Sequence, residues 1–151
     1  MQKTRKNLKS TSIVVLALAG LSLINLVFEI FFGDLKEMLK TAVVPEGAPA
    51  NIVLITQIFV LAVAILLFLP NLYIGFKGIK LAKNPDDSKA HIIWGIIVTA
   101  FTALSLCAPI TALVQGTGST LGNVAEICSI VVDITILFEY VRLSINLRKQ
   151  I

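Results

Sequence analysis

Residues 52–76 read IVLITQIFVLAVAILLFLPNLYIGF, 25 positions without a charged side chain. A helix crossing the roughly 30 Å hydrocarbon layer needs about 20 apolar residues, so this segment predicts a transmembrane helix. A spanning strand needs only about 9–11 residues with strict alternation, a pattern absent here. Three more segments pass the same test: residues 12–32, 92–114 and 121–141. Little of the 151-residue chain remains for a second domain. The expected fold is all-α, a single polytopic membrane domain over residues 1–151 with four transmembrane helices in an antiparallel bundle.

Composition points the same way. The chain is 56% hydrophobic and 15% charged, against about 45–50% and about 25% for soluble domains. The apolar excess sits in the four blocks and most charges lie between them. This excludes a disordered chain and an ordinary soluble enzyme, and two cysteines are too few for a disulfide-rich secreted scaffold.

Lysine and arginine give the orientation. Lys3, Arg5, Lys6, Lys9, then Lys77, Lys80, Lys83, Lys89, then Arg142, Arg148 and Lys149 all fall on one side of the predicted bundle. The other side has only Lys36 and Lys40, opposed by Asp34, Glu37 and Glu46. Both termini are therefore expected in the cytoplasm. Tyr73, Trp94 and Tyr140 fall near the cytoplasmic ends of their spans, where amphipathic rings settle. The net charge of +4 arises from residues flanking spans, as anchoring to anionic lipid requires; no nucleic-acid-binding module is present. Ala17-Leu18-Ala19 matches a signal-cleavage pattern, but the apolar run continues through Phe32. A signal core is only about 7–15 residues long, so the first span is read as uncleaved.

After span one, Leu35, Met38, Leu39 and Val43 recur at helical spacing, predicting an outer amphipathic helix over about 34–44. It reads as a surface connector, or as a docking element. Pro45, Gly47 and Pro49 end it. In the inner connection Asn84 and Pro85 stop one helix, and Asp86, Asp87 or Ser88 can cap the next. His91 stands at i, i+4 from Asp87, and a capping or interfacial role fits it best. The stretch YIGFKGIKLAKNPDDSKAHIIWGII, residues 73–97, resembles the inner hairpin of small, uncharacterised four-helix membrane proteins of low-GC Gram-positive bacteria. That resemblance implies a bacterial plasma membrane and assigns no activity to any residue.

The polar residues inside the spans carry the functional reading. An aspartate at a helix centre costs about 2.5–3.5 kcal/mol on insertion scales. Asp133 lies mid-span, Glu126 seven residues before it and Tyr140 seven after, so all three share one stripe. Nine Val, Ile, Leu or Phe residues between 124 and 138 supply roughly −4 kcal/mol, most of which Asp133 alone cancels. That stripe must be covered. Asn25 and Glu29 in span one and Gln57 in span two lie at outer depths where they could join Glu126 and Asp133 in one polar or ion site. No lysine or arginine lies at the depth of Asp133. Protonation, a bound cation or hydrogen bonds from neighbouring helices remain as ways to hide it.

Other features are read as structural. Glu139 and Arg142 suit a surface ion pair. Cys107 and Cys128 lie at equal depth and are read as small apolar fillers, with a disulfide as the alternative. Pro70 and Pro109 should kink their helices. No nucleotide, zinc-protease or serine-hydrolase motif occurs, and neither cofactor nor metal site is expected. The sequence thus predicts a non-enzymatic membrane subunit that binds copies of itself or a larger membrane partner through the span-four stripe. The alternative is a small oligomeric channel or transporter for a cation or proton, built on the same carboxylates.

Overall fold

The computed structural model describes residues 2–33, 50–85 and 89–150. These form five helices: α1 (Gln2–Phe31), α2 (Ala50–Lys83), α3 (Ala90–Ser105), α4 (Cys107–Gln115) and α5 (Thr120–Arg148). No strand occurs among the described residues. Four helical stretches are long and apolar enough to cross a membrane: Gln2–Phe31, Leu54–Lys83, Ala90–Gln115 and Thr120–Arg148. The expected outer amphipathic helix at 34–44, with Lys36 and Lys40, lies outside the described residues, as do Asp86, Asp87 and Ser88.

Three of the four helical stretches overrun the apolar segments that announced them. α1 starts within the basic leader, α2 continues to Lys83 and α5 to Arg148. The reason is a narrow apolar stripe beyond each span. Leu8, Ser12 and Val15 are buried along α1, and Ile74, Gly78 and Leu81 along α2. Leu137, Tyr140, Ser144 and Leu147 repeat the pattern in α5. Spacings of three and four residues keep each set on one helix face. Lys3, Lys6, Lys9, Lys80, Lys83, Arg142 and Lys149 are exposed around them.

Contacts divide the chain into two compact units, Met1–Ala17 with Pro70–Ile151, and Leu18–Leu69. In the first, α3 and α4 pack against α5. Its core joins Leu8, Val15, Ile74, Leu81, Ile92, Val98, Leu137, Tyr140, Val141, Leu143 and Leu147. Close approach at the centre depends on glycine. A Cβ added at Gly78 would collide with Ser12 Oγ and lie 2.6 Å from Tyr140 Cε2, and one at Gly95 would lie 2.9 Å from Val141 Cγ2. Small residues at such crossings let helix backbones meet, as is common between membrane helices.

Pro109 behaves as the sequence suggests. It lacks the N–H that would bond the Ser105 carbonyl, and its ring crowds that carbonyl. The helix accordingly breaks after Ser105, with Leu106 N–H donating to Ala103 O at 3.2 Å. Pro70 lies within α2 without ending it. α4 closes on Gly116, at φ 66°, ψ 25°. Thr117 N–H donates to Ala112 O at 2.9 Å, a left-handed glycine stop of the Schellman type. α3 begins after Lys89, with no side-chain capping bond; Ile92 and Ile93 N–H groups instead donate to Lys89 O.

Large apolar side chains cover the outside. Phe101 is 69% exposed and Leu121 80%. An apolar surface of this extent is foreign to soluble monomers and natural for helices that contact lipid tails.

Candidate functional site

The site residues named from sequence fall into two groups, one in each unit. In the unit Leu18–Leu69, Asn25 is exposed, Glu29 half-buried and Gln57 buried. Gln57 Nε2 donates to Ile30 O at 2.8 Å. The last four carbonyls of a helix have no partner within it. Gln57 therefore serves as a cap supplied to α1 by α2, which is the helix-bridging role of a buried amide. The Glu29 side chain folds back toward Gly33, where an added Cβ would meet its carboxylate.

In the other unit, α5 carries the acids. Positions 126, 133 and 140 lie on one stripe of the helix, and cover along it is graded. Tyr140 is fully buried, Asp133 half-buried and Glu126 exposed. All six buried residues of α5 fall between Leu137 and Leu147. Its N-terminal half, from Thr120 to Ile136, has none. Neither Glu126 nor Asp133 makes a hydrogen bond or ion pair with another described residue. Ser129 sits between them on the same stripe, exposed.

Sequence reasoning missed a second polar group, near the C-terminal end of α5. Ser12, His91, Tyr140 and Ser144 are all buried. Ser12 Oγ donates to Leu8 O at 2.7 Å. The His91 ring meets Tyr140 edge-on, with centroids 6.4 Å apart at 85°. The Tyr140 hydroxyl and Ser144 Oγ are buried beside each other, one helical turn apart. A usable signal was present: Tyr140 to Ser144 is one helical turn, and both extend the stripe of Leu137 and Leu147. His91, read as capping or interfacial, is also part of this packed centre.

The remaining assignments are simpler. Arg142 Nε lies 3.1 Å from Glu139 Oε2, the expected surface pair. Cys107 and Cys128 are free and exposed rather than packed as fillers. No group of three or more His, Cys, Asp or Glu among the described residues is placed to hold a metal. Compared with known proteins, the chain matches no family, no curated sequence and no solved structure.

Proposed function

We propose that this chain is a non-enzymatic integral membrane subunit that self-associates through the outer half of α5. In this reading the helices form an antiparallel bundle in a bacterial plasma membrane, with both termini cytoplasmic. The observation that carries it is the graded cover of the stripe Tyr140–Asp133–Glu126. Within its own unit the stripe is covered at Tyr140, half-covered at Asp133 and bare at Glu126, although carboxylates are costly against lipid tails. A second copy supplies the missing cover, with Ser129 as a hydroxyl donor to a facing carboxylate. A larger membrane partner is the other candidate for that role.

The position of the core supports the membrane placement. Lipid tails are as apolar as leucine, so burial inside the bilayer gains little hydrophobic free energy. Burial gains most where helices emerge toward water, and the packed stripes lie at the basic, cytoplasm-facing ends.

A conducting oligomer is the second reading. It is favoured by one observation: no described lysine or arginine pairs with Glu126 or Asp133, which leaves a proton or cation to neutralise them. Asp133→Asn separates the two. In proteoliposomes the subunit reading expects no proton or monovalent-cation flux above the lipid background. It also expects Asp133→Asn to assemble like the wild type, because the amide still forms hydrogen bonds, and Asp133→Leu to lose assembly. Wild-type flux abolished by Asp133→Asn with assembly intact would establish conduction instead.

A further inference from the structure

A cavity of about 470 Å³ opens between the first turn of α3 and the last turns of α5, lined by Lys89, Ile92, Ile93, Ile145, Arg148 and Lys149. It lies at the other end of α5 from Glu126 and Asp133, and its chemistry is the reverse. Three cationic side chains surround three isoleucines. Ile93 is 55% exposed, so the apolar wall is presented outward. Trp94, one residue further along α3, is 43% exposed, and tryptophan collects at the headgroup level of membranes.

We propose that this cavity binds the headgroup and upper acyl chain of an anionic phospholipid in the leaflet facing the chain termini. The proposal rests on the membrane placement argued above. The volume lies within the roughly 300–1,000 Å³ of small-molecule sites. A phosphate diester would sit among Lys89, Arg148 and Lys149, while its glycerol and first methylenes would cover Ile92, Ile93 and Ile145. Basic pockets between membrane helices on the cytoplasmic side take acidic headgroups by this division of labour. A free phosphate ion uses only the cationic half and leaves the isoleucine wall uncovered, so the lipid is the better occupant.

The protein contains a single tryptophan, which makes Trp94 a local reporter. The full chain is reconstituted in phosphatidylcholine vesicles containing a small fraction of brominated phosphatidylglycerol or brominated phosphatidylcholine, and quenching of Trp94 is compared. Each basic side chain near an anionic surface is worth roughly fivefold in affinity. Brominated phosphatidylglycerol is expected to quench at least about tenfold above its bulk share. Lys89→Gln with Lys149→Gln should remove most of that preference, leaving at most the roughly fivefold share of the one remaining basic side chain, whereas Lys3→Gln, Lys6→Gln and Lys9→Gln together should change it less than about twofold. Equal quenching by both lipids, or equal loss in the leader variant, overturns the lipid site alone. Displacement of the quencher by inorganic phosphate assigns the site to a free anion and overturns it too. Absence of quenching by either lipid overturns the membrane placement itself.

Discussion

Tyr140→Ala is expected to lose about 3–5 kcal/mol of stability, the usual cost of truncating a fully buried aromatic side chain. Tyr140 is 0% exposed. It touches the backbone crossing at Gly78, lies within 3.4 Å of the space beside Gly95, and meets the His91 ring. Removing it opens a hole shared by α2, α3 and α5. Tyr140→Phe isolates the hydroxyl. That group is buried with only the Ser144 hydroxyl beside it, so its removal is expected to change stability by no more than about 1 kcal/mol. Denaturation of the detergent-solubilised chain by increasing sodium dodecyl sulfate, followed by circular dichroism, measures both. A Phe variant as unstable as the Ala variant would show that the hydroxyl, not the ring, holds the centre.

Gly78→Leu is expected to be comparably damaging, at about 3 kcal/mol or more, because overpacking usually costs about 1–3 kcal/mol and the neighbours here have little room to move. Even a methyl group would collide with Ser12 Oγ and press on the Tyr140 ring. Ser12 cannot simply turn away, since its hydroxyl is bonded to Leu8 O. Gly78→Ala combined with Ser12→Gly should recover part of the loss of Gly78→Ala alone, because one of the two obstacles is gone. The same denaturation assay reads this cycle. Wild-type stability in Gly78→Leu would contradict the close crossing.

The four long helices were legible because uniform apolar runs of spanning length have few other uses. Pro109 was legible for a local reason, since a missing N–H and a crowded Ser105 carbonyl need no tertiary context. The packed core around Tyr140 was harder to read. Leu8, Ser12 and Ser144 lie outside the apolar runs or at their edges, and their message is a spacing of three and four, not a run. The burial of His91 was not legible, because an i, i+4 spacing from Asp87 at the start of a span does not tell which side chains of α5 pack against it. The acidic stripe was legible as a stripe, but its cover was not. How far neighbouring helices reach along α5 depends on packing, and Asp133 and Glu126 differ in exposure despite sharing a face. The depth of Gln57 in its span makes it an ion-site candidate but does not reveal that its amide caps the end of α1.

If the open half of α5 is an interface between copies, two positions that are both exposed in one chain must behave differently in the membrane. Ser129 lies on the acidic stripe and Val131 on the opposite side of the same helix turn. With Cys107 and Cys128 replaced by alanine, Ser129→Cys and Val131→Cys are each oxidised in native membranes and resolved without reductant. The account predicts a disulfide-linked dimer for Ser129→Cys and a monomer for Val131→Cys. Equal cross-linking at both, or cross-linking only at Val131→Cys, would contradict it.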